Sequence, residues 1–167
     1  MEKEILDKAK KIKFLFTDCD GVLTDTGVYY SETGEELKRF SVRDGMGVEL
    51  LRKNALIDTG IMSGEDLPLL HKRAEKLKIK EVHLGIKDKK NRMTEVIKRL
   101  ELDFDEIAYI GDDVNDLEVM ELAGLTASPK DAIGSVKTAA DFICENKGGH
   151  GAFREFADLI LTAKNLN

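Results

Sequence analysis

The chain has 167 residues, enough for one domain with a full hydrophobic core, and at 42% hydrophobic and 35% charged it is globular in composition, not disordered. A net charge of -6 argues against general affinity for nucleic acid, and no apolar run approaches the ~20 residues of a membrane span. The start, Met1-Glu2-Lys3-Glu4, lacks the apolar centre of a signal peptide, so the sequence reads as cytoplasmic, with Cys19 and Cys144 reduced.

Strand and helix patterns alternate along the chain, which predicts a parallel sheet covered by helices on both faces, a Rossmann-like α/β fold. The first predicted strand, Ile12–Thr17, stops at Asp18-Cys19-Asp20-Gly21-Val22. Side chains alternate along an extended chain, so Asp18 and Asp20 emerge on the same side. Two such charges repel by roughly 4 kcal/mol at an effective dielectric of about 20, which a divalent cation would offset. The same residues also suit a solvated acidic turn. An EF-hand reading fails, because the twelfth loop position is Tyr29 and not Glu.

Next, Gly27-Val28-Tyr29-Tyr30, a turn over Ser31–Glu35, and Glu36-Leu37-Lys38-Arg39-Phe40 read as a β-hairpin spanning about residues 27–40. A lone hairpin is marginal in water, so its aromatics are expected to pack against other subunits or to fold back on its own chain. A strand over Ala55–Met62 follows and ends in Ser63. Leu70, Ala74 and Leu77 form a helical stripe, and Glu81–Leu84 a further strand. Lys89 then opens a helix whose core face is Met93, Val96, Ile97 and Leu100. The strand Ile107–Ile110 leads into Gly111-Asp112-Asp113-Val114-Asn115-Asp116, where the acids can serve a metal or simply cap a helix. Strands at Leu125–Ala127 and Asp141–Cys144 precede a glycine-rich tail, Lys147–Glu155, and a last helix with Phe153, Phe156, Ala157 and Ile160 inward. The histidines (His71, His83, His150) lack metal-ligand spacing, and neither cysteine begins a Cys-x5-Arg phosphatase loop.

A nucleophile candidate, a hydroxyl and an acid pair at strand ends, with a lysine opening the helix after a fourth strand, form an inventory for holding a phosphoryl group and a metal. The ordered set Asp18-Cys19-Asp20-Gly21-Val22, Ser63, Lys89 and Gly111–Asp116 resembles the haloacid dehalogenase superfamily of phosphohydrolases. Ser63-Gly64-Glu65, Gly85-Ile86-Lys87-Asp88-Lys89 and the Lys147–Glu155 tail resemble its small capless branch. That branch includes 3-deoxy-D-manno-octulosonate 8-phosphate phosphatases and nonulosonate 9-phosphate phosphatases.

The resemblance implies one haloacid-dehalogenase-like domain over residues 1–167, with the hairpin in place of a cap domain and an active-site tail over about 147–155. It implies hydrolysis of a phosphorylated sugar acid through an aspartyl phosphate. Asp18 is then the nucleophile, Asp20 the general acid and base, Ser63 a donor to the phosphoryl group, and Lys89 the group that neutralises charge. Mg²⁺ would be held by Asp18, the backbone carbonyl of Asp20, and Asp112. Asp113 or Asp116 would support the metal or Lys89 from behind.

Substrate contacts are expected from Glu65, Arg73, Lys76, Lys147 and Arg154, with Arg43 a further candidate. The glycines of the tail suit close approach to a ligand, and in the resembling branch the tail closes over a neighbour's site. The hairpins would join a homotetramer. Octulosonate phosphatases often carry a basic residue where this chain has Glu65, and nonulosonate phosphatases carry Glu, so this position pulls towards the latter. Octulosonate is the first expectation as the commoner role. A phosphoacceptor signalling domain would place its acid pair before its acceptor Asp, the reverse of the order here. A non-catalytic oligomeric scaffold would have lost core motif residues, and none is missing.

Overall fold

In the computed structural model, which describes residues 2–166, six parallel strands form one sheet in the order β5-β4-β1-β6-β7-β8. They are β1 (Phe14–Thr17), β4 (Asp58–Met62), β5 (Glu81–His83), β6 (Ile107–Ile110), β7 (Leu125–Ser128) and β8 (Phe142–Ile143). A separate antiparallel pair, β2 (Thr24–Ser31) and β3 (Gly34–Phe40), is the hairpin.

The apolar runs become strands buried on both faces, and their alternation divides two cores. Leu15 of β1 faces a layer built by α1 (Glu2–Lys11), α2 (Val42–Leu50), α3 (Pro68–Leu77) and α7 (Ala152–Ala163). Phe14 and Phe16 face the opposite layer, built by α4 (Lys89–Leu100), α5 (Leu117–Met120) and α6 (Gly134–Ala139). The three helical stripes expected from the sequence lie on these core faces, with Leu77 and Leu100 at their edges. No described helix is long and apolar enough to cross a membrane.

Several boundaries differ from the sequence reading. Ile12 is buried but belongs to the turn closing α1, where its N–H bonds the Ala9 carbonyl, so β1 begins at Phe14. Leu51–Ala55 form a π-type turn that ends at Leu56 in the left-handed conformation (φ 56°), which delays β4 to Asp58. Asp141 leaves the edge strand because its carboxylate accepts from the N–H and hydroxyl of Thr126. The hairpin turn is shorter than expected, with Gly34 at φ 114° directly opposite Ser31.

Helix α7 begins at Gly151, whose lack of a side chain leaves the first N–H groups without a local cap. Asp44, from α2 and only 1% exposed, supplies one: it accepts from the N–H of Gly151 (3.3 Å) and Arg154 (2.9 Å). Burial raises the pKa of Asp44, and these N–H donors counter that shift. Asp44→Ala leaves two donors unpaired and should cost about 1–3 kcal/mol of stability, read from urea unfolding at constant m. An unchanged midpoint would show that the α7 start needs no remote cap.

Candidate functional site

The chain runs from β1 outward to β4 and β5, then returns to β6 on the other side of β1. That reversal opens a crevice at the carboxyl ends of β1 and β6, where open α/β sheets bind ligands. Asp18 follows β1, Ser63 follows β4, Lys89 begins the helix after β5, and Asp112 lies just beyond β6. Four segments far apart in sequence thus deliver their polar groups to one edge.

Lys89 is the hub. Its ammonium lies 2.9 Å from Asp18 Oδ1 and 2.7 Å from Asp116 Oδ1, with its side chain 3% exposed. Burial disfavours its charge, but Asp18 and Asp116 more than offset this, and its pKa is raised. Asp116 is fully engaged. Its Oδ1 also accepts from the Tyr109 hydroxyl at 2.7 Å, and its Oδ2 accepts from the N–H of Asp112 (2.9 Å) and Asp113 (3.4 Å). All four acceptor positions of that carboxylate are used. Asp113, by contrast, turns to the exposed side and caps the turn Val114–Asp116, accepting from the Val114 N–H at 2.6 Å.

Asp18, Asp112 and Asp116 present oxygens within 4.8 Å of one another. With Asp116 saturated, Asp18 and Asp112 are the carboxylates left to bind a cation, and Asp112 Oδ1 is buried with no hydrogen-bond partner. Burial, then the neighbouring carboxylates, raise the pKa of both Asp18 and Asp112; Lys89 pulls Asp18 the other way. An orphaned, acceptor-only oxygen beside a second carboxylate suits a hard divalent cation. Gly21 makes this closeness possible. At φ 82° it takes a conformation that L side chains rarely adopt, and a Cβ there would sit 1.9 Å from Asp112 Oδ2.

Asp20 stands apart from the cluster. Its carboxylate accepts from Thr24 Oγ1 (3.2 Å) and, through both oxygens at 2.7 Å, from Lys38 of the hairpin. Ser63 is buried, and its Oγ accepts from the Glu65 N–H at 3.1 Å, which leaves the hydroxyl proton to donate elsewhere. Burial pushes both cysteine thiols up, which keeps them protonated and unsuited to nucleophilic work.

The expected substrate residues do not assemble in the same way. Glu65 is exposed beside Ser63. Arg73 and Lys76, placed on one helix face by their spacing, are separated in function: Lys76 is exposed, while Arg73 packs over the Phe40 ring and donates to the Ser41 carbonyl at 2.8 Å. Arg154 pairs with Asp158 one turn on, and Lys147 and Arg43 are exposed. The tail glycines approach the chain's own backbone where a ligand was expected. A Cβ on Gly148 would meet the Gly21 carbonyl oxygen at 1.8 Å, and the Gly149 N–H donates to the Val22 carbonyl at 2.8 Å. Their close packing therefore braces the loop that carries Asp20 and Gly21.

Sequence reasoning did not single out Tyr109, Thr24 or Lys38. A hydroxyl in the otherwise apolar Ile107–Ile110 strand was the available signal for Tyr109. Lys38 gave none beyond its place in a hairpin.

Comparison with known proteins agrees with this arrangement. Residues 75–156 match the family described as haloacid dehalogenase-like hydrolase. The 3-deoxy-D-manno-octulosonate 8-phosphate phosphatase KdsC of Haemophilus influenzae is 41% identical over 94% of this chain and 87% of its own length. The crystal structure of the Yersinia pestis 3-deoxy-D-manno-octulosonate 8-phosphate phosphatase superposes with a TM-score of 0.94 at 38% identity, covering 97% of this chain and 87% of that one. The Moraxella catarrhalis phosphatase, in complex with magnesium, phosphate and KDO, superposes with a TM-score of 0.94 at 36% identity, covering 98% and 93%. Shared sequence over nearly the whole length, together with the strand-end constellation at one sheet edge, shows that the chain belongs to the 3-deoxy-D-manno-octulosonate 8-phosphate phosphatase family of haloacid dehalogenase-like hydrolases.

Proposed function

We propose that the protein is a Mg²⁺-dependent phosphomonoesterase that converts 3-deoxy-D-manno-octulosonate 8-phosphate to the free sugar acid and phosphate, a step in lipopolysaccharide precursor synthesis. The observation that carries this is the Lys89-held Asp18 beside Asp112, whose buried Oδ1 has no hydrogen-bond partner among the described residues. Support comes from a relative of the same fold that binds magnesium, phosphate and KDO together. The whole chain then serves as one catalytic domain, working in the cytoplasm.

Asp18 attacks phosphorus in line, and the phosphorus–ester oxygen bond breaks as the aspartyl phosphate forms. Asp20 gives its proton to the departing sugar oxygen. It then takes a proton from water, which attacks the phosphoryl group, releases phosphate and restores Asp18. Ser63 directs its free hydroxyl proton at a phosphoryl oxygen, and Lys89 holds Asp18 while countering charge on the phosphoryl group. Asp116 fixes Lys89 through the bonds described above, while Asp113 stays a helix cap. A Mg²⁺ ion held by Asp18, Asp112 and the Asp20 carbonyl would supply electrostatic stabilisation of the anionic phosphoryl group.

Glu65 favours a second reading, a nonulosonate 9-phosphate as substrate. Its free carboxylate beside Ser63 can accept from sugar hydroxyls near the leaving group. The hairpin exposes Val28, Tyr29, Tyr30 and Leu37, an apolar set that we read as the contact surface of a homotetramer.

Three measurements test this reading. Steady-state rates on both sugar acid phosphates should give the higher kcat/KM for the octulosonate 8-phosphate, and Asp18→Asn should abolish turnover; a clear preference for the nonulosonate ester would reverse the assignment. A chelator should remove activity and Mg²⁺ restore it. Protons held by Asp18 and Asp112 compete with the cation, so the apparent Mg²⁺ affinity should tighten as pH rises. Activity that survives chelation contradicts the metal site. Light scattering should give a tetramer, and Tyr30→Asp with Leu37→Asp should lower the mass; a monomeric parent protein at micromolar concentration refutes the hairpin assembly.

A further inference from the structure

Lys38 has no part in the mechanism above, yet its side chain is closely confined. Its side chain is 2% exposed and its ammonium contacts three carboxylate oxygens: both of Asp20 at 2.7 Å and Glu35 Oε1 at 3.1 Å. Lys38 sits on β3 opposite Val28; its neighbour Leu37 is exposed and its neighbour Arg39 donates to the Gly149 carbonyl at 2.9 Å, while the Lys38 ammonium reaches Asp20. Phe40, two residues on and on the same side, is anchored against the main core and under Arg73. The hairpin therefore enters the site with a fixed register. Asp20 itself is about one-third exposed, and among the described residues its carboxylate bonds, apart from Lys38, only the Thr24 hydroxyl, at 3.2 Å.

An exposed aspartate with one neutral partner rotates among several χ orientations. A buried ammonium bonded to both oxygens selects one of them. Glu35 Oε1 lies 3.1 Å from the same ammonium as a second, ion-paired carboxylate. We propose that Lys38 is a positioning residue for the proton-transfer group of this enzyme: the hairpin acts as an arm that holds Asp20 through one oxygen when the other carries the proton for the departing ester oxygen, and through both when Asp20 is ionised. The proposal rests on the assignment of Asp20 as general acid. It gives the hairpin a role in the chemistry of its own subunit, separate from any role in assembly.

The test exploits leaving-group chemistry. A sugar alkoxide needs a proton as it departs, whereas p-nitrophenolate leaves without one. The ratio kcat/KM reports steps only up to departure of the alcohol, so the later hydrolysis does not enter. With Lys38→Met, which keeps the apolar stem, kcat/KM for 3-deoxy-D-manno-octulosonate 8-phosphate should fall roughly ten- to a hundredfold, a part of what general acid catalysis supplies. For p-nitrophenyl phosphate the loss should stay below about threefold by the same reasoning. Lys38→Arg should recover much of the loss on the sugar ester. Equal losses on both esters, an unchanged rate on both, or loss of the thermal unfolding transition in Lys38→Met would each overturn the proposal. Asp20→Asn, run in parallel, separates the two ideas. If it discriminates between the esters and Lys38→Met does not, the positioning role alone falls. If Asp20→Asn does not discriminate either, the general-acid assignment falls with it.

Discussion

The structure around the site depends on an unbalanced buried charge. Asp18, Asp112 and Asp116 converge within 4.8 Å, and the Lys89 ammonium touches two of them, Asp18 and Asp116. Fully ionised, three carboxylates against one ammonium leave two negative charges in a pocket where charge is costly to bury. A protein can relieve that excess with protons or with one divalent cation. The raised pKa values of Asp18 and Asp112 describe the first state, and the unpartnered Asp112 oxygen prepares for the second. Asp116 stands outside this exchange because its bonds are all committed, which is why it can hold Lys89 still.

The rest of the fold holds these groups against their mutual repulsion. Hydrogen bonds fasten the strand ends to one another: Asp18 N–H to the Ile110 carbonyl, Gly111 N–H to Ala127, Ser63 N–H to His83. Glycines remove side chains where backbones must approach. Gly21 admits Asp112, Gly111 admits Asp116, and Gly148 lies against Gly21 itself. The tail is thereby part of the site's scaffold: Asp44 caps the helix that follows it, and Asp131 accepts the Gly148 N–H at 3.0 Å.

The hairpin completes the arrangement from the open side. Among the described residues no cap domain covers the crevice, and the Asp20 side chain stays about one-third exposed. Lys38 and Thr24 give that carboxylate a defined orientation in place of an enclosing wall. Tyr29 and Leu37, paired across the strands and exposed, lie on the face opposite Lys38, so one element presents a charged residue to Asp20 and an apolar pair to solvent.

The parallel sheet and the four motif ends were readable from the sequence by itself, because buried strands and their terminal polar residues follow local rules of period and burial. Asp18, Ser63, Lys89 and Asp112 could be named because their order along the chain matches a known family; each taken alone also suited an acidic turn or a helix cap. Strand limits were less legible: the π-type turn before β4 and the side-chain cap that shortens β8 arise from contacts with distant segments. The tertiary structure decided the division of labour between Asp113 and Asp116, which share a loop and differ only in which way they face. It also turned Arg73 and Arg154 to neighbours of their own, set the tail glycines against the Gly21–Asp25 loop, and brought Lys38 to Asp20. Such pairings join residues up to a hundred or more positions apart. No local period encodes them; they exist only once the sheet order and the hairpin register are set.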